Sequence, residues 1–109
     1  MAELDLSALM KQAAALQDKL KDMQAQAAER VVTAESGGGM IRATVDGAMR
    51  VRKIEIDASL LADNDKAMLE DLIVVAVNEG LRRAQEMVAE EMAKLGPVGG
   101  LKFPGFGSD

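Results

Sequence analysis

Residues 40–57 read MIRATVDGAMRVRKIEID, and this stretch decides the fold. Ile41, Ala43 and Val45 alternate with Arg42 and Thr44, the period-two pattern of a half-buried strand. Asp46-Gly47 follows, a dipeptide that favours a tight hairpin turn. The return strand, Arg50 to Asp57, has an awkward parity, because Ile54 and Ile56 fall in step with Arg50 and Arg52. Either a bulge moves the isoleucines to the other face, or part of the strand is covered on both sides, as a dimer contact would do.

Upstream, Arg30–Ser36 (RVVTAES) carries β-branched residues and predicts a further strand, joined to the hairpin by a flexible Gly37-Gly38-Gly39 turn. A glycine run can also cradle phosphate through its backbone N–H groups. Here no Lys-Ser/Thr follows, and strands flank it on both sides, so it reads as a turn. The segment from 30 to 57 is thus a three-stranded antiparallel sheet.

Helices are predicted on both sides of it. From Asp5 to Ala28 the apolar residues Leu6, Leu9, Ala13, Leu16, Leu20, Met23 and Ala27 recur at alternating spacings of three and four. That is a heptad seam, narrow enough to want a single partner helix. Asp5 or Ser7 can cap its start. Downstream, Leu60 and Leu61 lie in a loop that ends at Asp63-Asn64-Asp65, all good capping residues. A second helix is predicted from Lys66 to Leu95, with Leu69, Leu72, Ile73, Ala76, Val77, Leu81, Ala84, Met87 and Val88 as its apolar positions. Val74 and Val75 make its middle apolar nearly all round, which predicts burial nearly all round. Gly80 interrupts it at a cost of roughly 1 kcal/mol relative to Ala, and so is expected to mark a close helix crossing. Gly96-Pro97 stops it. The fold class is therefore α+β in the order α-β-β-β-α: one domain over 1–95, then a flexible Gly/Pro-rich tail over 96–109.

At about 1.5 Å per residue the helices are about 36 and about 45 Å long, whereas a compact chain of about 100 residues has a radius of gyration near 13 Å. Three short strands cannot cover such helices. Their ends project, or a second copy covers them, so an intertwined or sheet-mediated homodimer is expected. Met10, Met23, Met68, Met87 and Met92 fit core or dimer packing better than a peptide groove.

Composition narrows the chemistry. The 109 residues include no Cys and no His, which removes disulfides, thiolate metal sites and the commonest general base. Ser7, Ser36, Ser59 and Ser108 have no activating partner, and the acidic pairs Asp63/Asp65 and Glu70/Asp71 lack the spacing of a calcium loop. No enzyme activity, cofactor, metal or small-molecule substrate is expected. No apolar run approaches the roughly 20 residues that cross a bilayer, and the first residues lack signal-peptide character, so a cytoplasmic protein is expected. Phe103 and Phe106, the only aromatics, are too few for a base-stacking platform.

The net charge is −5, which counts against nucleic acid, but it is unevenly spread. Between Arg30 and Lys53 five basic residues face two acidic ones, and between Ile54 and Leu95 four face ten. The side chains able to grip phosphates are Lys11, Lys19 and Lys21 on the first helix, Arg50, Arg52 and Lys53 on the third strand, and Arg82 and Arg83 on the second helix. Ordinary surface charge is the competing explanation for each.

Three stretches resemble the YbaB/EbfC family: LMKQAAALQDKLKDMQ (9–24), GGGMIRATVDGAMRVRKIEIDASLL (37–61) and DKAMLEDLIVVAVNEGLRRAQEMVAEEMAKL (65–95). The Pro104-Gly105-Phe106 of the tail is similar too. The resemblance implies a chain that dimerises through its sheet and projects paired helices like tweezers. It implies binding to double-stranded DNA with low sequence specificity in the bacterial nucleoid, and through that an influence on gene expression. It places DNA contacts on the projecting helices, here Lys11, Lys19, Lys21, Arg82, Arg83 and Lys94. Glu79, Glu86, Glu90 and Glu91 crowd the arginine pair, so affinity is expected to be weak and steeply salt-dependent. No base-reading set is evident. The alternative is an acidic, dimeric protein-interaction scaffold without intrinsic DNA affinity.

Overall fold

In a computed structural model, which describes residues 5–94, the first helix, α1, spans Leu6–Glu29. Asp5 is its cap: the carboxylate accepts the Ala8 N–H at 3.3 Å. The three strands follow as β1 (Val31–Ser36), β2 (Ile41–Asp46) and β3 (Val51–Ile56), in the sheet order β1-β2-β3, antiparallel throughout. The glycine turn is a single 3₁₀ turn in which Gly37, Gly38 and Gly39 all have positive φ. The expected helices are in place, and so is the α-β-β-β-α order.

The parity problem of the return strand resolves as a bulge. Thr44 pairs with Lys53 but Val45 pairs with Val51, leaving Arg52 as the extra residue. Residues directly opposite share a face, so Val51, Ile54 and Ile56 join Val45, Ala43 and Ile41 on one side of the sheet.

The expected loop at Leu60 and Leu61 is instead a short helix, α2 (Ala58–Ala62), started by Asp57, whose carboxylate accepts the Ser59 N–H at 2.9 Å. It inserts Leu60 into the core. Asn64, with φ of 54°, turns the chain, and Asp65 caps the long helix α3 (Lys66–Ala93) by accepting the Met68 N–H at 3.0 Å. The expected end of that helix at Leu95 and the tail over 96–109 lie outside the described residues.

Helix α3 lies along β1 and β2 and scarcely touches β3. Ile41, Ala43, Leu60 and Ala76 form the buried core, with Met68, Leu69, Leu72, Ile73 and Val77 packed round it. Burying side chains such as Ile41, Val45 and Leu60 contributes roughly 1.5–3 kcal/mol each. Ser36 Oγ ties β1 to the helix by donating to the Leu72 carbonyl at 2.6 Å. Gly80 marks a helix-over-strand crossing, not a helix pair: a Cβ there would sit 2.7 Å from Val45 Cγ2.

Two expectations of burial fail in the single chain. Val74 and Val75 are 57% and 54% exposed, and the apolar side of β3 is only partly covered because α3 scarcely touches it. The seam of α1 meets α3, but only its second half is covered. Leu16, Leu20 and Met23 are half-buried and Ala27 is buried, while Leu6, Leu9, Met10 and Ala13 are exposed. The resulting particle is 78 Å long, with a radius of gyration of 21.0 Å.

Candidate nucleic-acid interface

The register of α3 puts Glu79, Arg82, Arg83 and Glu86 at spacings of three and four, so they share one exposed side. Arg82 donates from Nε and Nη2 to the two Glu79 oxygens at 3.0 and 2.6 Å, and from Nη1 to Glu86 at 2.6 Å. Arg83 donates from Nε to Glu79 at 3.1 Å and from Nη1 to the Thr33 carbonyl of β1 at 2.8 Å. One carboxylate thus serves two guanidinium groups. The hydrogen bond from Arg82, with Arg83 as second donor, holds the Glu79 carboxyl far below its ordinary range, at about 2. Arg82 is raised in turn, chiefly by its hydrogen bond to Glu79. The four side chains carry no net charge. Further along, Lys94 lies 3.3 Å from Glu91, which also pairs with Arg30.

The hairpin between β2 and β3 gathers a second group. Asp46 is buried and organises the turn. One oxygen accepts the backbone N–H groups of Ala48 and Arg50 at 2.9 and 3.0 Å, and the other accepts Arg52 Nε at 2.9 Å. The Arg52 hydrogen bond, followed by those two backbone donors, keeps the Asp46 carboxyl below its ordinary value. Arg52 also reaches Glu29 of α1 at 3.4 Å. Of the basic stretch from 30 to 53, Arg42 pairs with Glu35 and Lys53 with Glu55, so Arg50 alone keeps a side chain without an ion pair among the described residues. On the outer face of the sheet, Thr33, Glu35, Arg42, Thr44, Glu55 and Arg83 line a shallow polar depression, its two cations matched by two carboxylates.

The third group lies on α1. Lys11, Lys19 and Lys21 are exposed, and none has an ion pair among the described residues. At about 100° per residue all three fall off the apolar seam, Lys11 on the side opposite it, near Asp18 and Asp22, and Lys19 and Lys21 on its two flanks.

Sequence comparison gives this geometry its context. The model of the YbaB/EbfC DNA-binding family matches residues 1–101. The chain belongs to this family. A nucleoid-associated protein of Syntrophobacter fumaroxidans is 47% identical over 96 residues, which span 88% of this chain and 86% of the relative. In fold, the chain is similar to a crystal structure of an uncharacterized protein from Helicobacter pylori. The TM-score is 0.70 at 22% identity, covering 85% of this chain and 98% of the other.

In this YbaB/EbfC chain the expected contact residues therefore fall in three places: Lys11, Lys19 and Lys21 on α1, Arg50 and Arg52 at the hairpin, and Arg82, Arg83 and Lys94 on α3. Those on α1 and Arg50 have no ion pair among the described residues. Arg52, Arg82, Arg83 and Lys94 are held by carboxylates. The sequence reading takes Glu79 as one of several glutamates crowding the arginine pair and Asp46 as a turn residue, and singles out neither as the group that holds the arginines. The signal for Glu79 lay in the spacing Glu79-x-x-Arg82-Arg83, which brings both arginines onto its turn of helix. Asp46 gave only a turn signal, and its grip on Arg52 depends on the bulge. Among the described residues no cluster of acidic side chains could hold a metal ion, and no helix is long and apolar enough to cross a membrane.

Proposed function

We propose that this protein binds double-stranded DNA as a homodimer, with low sequence specificity, and acts in the bacterial nucleoid. Membership of a DNA-binding family and the nucleoid-associated relative support the reading. The observation that carries it is the charge of α1: Lys11, Lys19 and Lys21 are exposed and none has a carboxylate partner among the described residues, and the first half of the helix, which bears Lys11, extends past the cover of α3. Flexible lysines engage phosphates as point charges and carry no bidentate base-reading geometry, so low specificity follows.

The dimer rests on the uncovered apolar surface. Val51, Ile54 and Ile56 stand on the α3 side of the sheet but remain partly exposed because α3 scarcely touches β3, and Val74 projects from α3. A second copy laid against this side buries them and places two α1 helices on one particle. Two weak sets of phosphate contacts then act together, and linkage raises overall affinity well beyond that of either arm.

Fluorescence anisotropy with a labelled duplex, at low and at physiological salt, tests the reading. The wild type binds at low salt and weakens steeply as salt rises, with a log–log slope of about −0.9 per phosphate contact. The K11E/K19E/K21E variant loses that binding while keeping its circular dichroism spectrum. The acidic surface supports a second reading, a protein-interaction scaffold, since the chain carries −5 overall and most cations of its sheet and of α3 are neutralised. Absence of wild-type binding even at low salt would favour that scaffold and sink the DNA reading.

A further inference from the structure

The arrangement round Glu79 has a consequence for affinity that depends on the DNA-binding reading above. We infer that Glu79 is a built-in brake on DNA binding: it holds Arg82 and Arg83 in an internal cage and keeps both from phosphate.

The geometry is more complete than a surface ion pair requires. Each nitrogen of the Arg82 fork donates to a carboxylate, Nε and Nη2 to the two oxygens of Glu79 and Nη1 to Glu86. Arg83 is fixed at both ends, by Glu79 and by the Thr33 carbonyl at the free edge of β1. Glu79 itself is only 32% exposed, so water screens it less than the outer carboxylates. A phosphate that approaches either arginine must displace a partner tethered on the same helix. It must also come close to two carboxylates of its own sign. The arginines, ideal in chemistry for bidentate phosphate contact, therefore contribute little while Glu79 is charged and in place.

The competing explanation is that these are ordinary helix pairs. Exposed pairs at such spacing stabilise a helix only slightly and restrain nothing else. The two explanations part at Glu79→Gln. Glutamine keeps the shape and helix propensity but removes the charge that claims both guanidinium groups. The matched control is Glu70→Gln, on the same helix. Glu70 is 62% exposed, and its one ion pair among the described residues is with Lys66, at 3.9 Å, so it changes net charge equally without freeing an arginine.

The experiment is a salt series of duplex titrations on the full chain for wild type, E79Q, E70Q and E79Q/R82A/R83A, each checked for unchanged helical content. If the brake exists, E79Q binds about tenfold tighter at low salt, and its log–log salt slope steepens by about 1–2 units, one for each arginine released. E70Q stays close to wild type, and the triple variant loses the gain. Equal effects of E79Q and E70Q would show that only net charge matters and would overturn the brake, leaving DNA binding itself intact. A gain that survives removal of both arginines would overturn it too. Failure of the wild type and of E79Q alike to bind at any salt would instead strike at the DNA reading on which the brake depends.

Discussion

Gly47 was readable as a residue that matters, though not for the reason the sequence suggests. The Asp-Gly pair predicts a tight hairpin turn. The loop instead runs through four residues from β2 to β3, and Met49 takes the left-handed conformation, with φ of 63°. Gly47 is needed because the end of α1 passes over it. A Cβ would lie 1.9 Å from the Ala27 carbonyl oxygen, which is backbone and cannot turn aside. Gly47→Ala should therefore cost roughly 2–4 kcal/mol, at the upper end of single substitutions, measured as a fall in the urea midpoint. Gly80→Ala meets the side chain of Val45 instead. Relief of the helical glycine is worth about 1 kcal/mol, and overpacking costs about 1–3, so a net loss of about 1 kcal/mol is expected. The two carboxyls with depressed pKa set the response to acid. Asp46 and Glu79 contribute stability that is fully present above their ordinary values. It drains away as the pH falls, for Glu79 between about 4.5 and about 2. Asp46→Asn should flatten the acid limb of a stability-against-pH curve. An unchanged limb would mean that the buried carboxylate is not what holds the hairpin.

At the scale of elements, nearly every helix and strand could be seen in the sequence because each is signalled locally, by period, by cap or by turn residue. The exceptions are instructive. Helix α2 is five residues long, too short to show a period, and its signal was the single Asp57 cap. The fault in the parity of β3 was visible, but choosing the bulge over two-sided cover required knowing that β2 supplies only one partner row. The candidate site was less legible than the fold. Basic residues can be counted from sequence, whereas which of them are already spoken for depends on contacts such as Arg83 to Thr33 across 50 positions. The two helices, though alike in length, should respond differently to loss of their caps. Asp65 starts a helix packed on the sheet, so Asp65→Ala lowers global stability by about 1 kcal/mol. Asp5 starts a turn whose Leu6, Leu9 and Met10 touch little. Asp5→Ala should fray that turn, seen as a small loss of helical circular dichroism, with the urea midpoint unchanged. Equal shifts in the midpoint would mean that the first turns of α1 are packed in solution.

At the scale of the whole molecule, the shape bears on the homodimer proposed above. A radius of gyration of 21.0 Å is far above the value near 13 Å expected of a compact chain this size, so one copy buries too little of its own apolar surface. Val74 provides the decisive probe. It is 57% exposed in the single chain, and if that is its environment in solution, Val74→Glu is a surface change worth less than about 0.5 kcal/mol. In a dimer the same substitution puts a charge without a partner into an apolar contact, at a cost of several kcal/mol. Unfolding of a dimer also depends on protein concentration, whereas unfolding of a monomer does not. The wild type is therefore expected to show a urea midpoint that rises with concentration and a sedimentation mass near two chains at micromolar concentration. V74E should shift to one chain, lose the concentration dependence, and bind DNA more weakly although it alters no cation. A wild-type mass near one chain, together with a V74E midpoint equal to that of the wild type, would leave the long unpaired shape as the working form and remove the basis for two arms acting together.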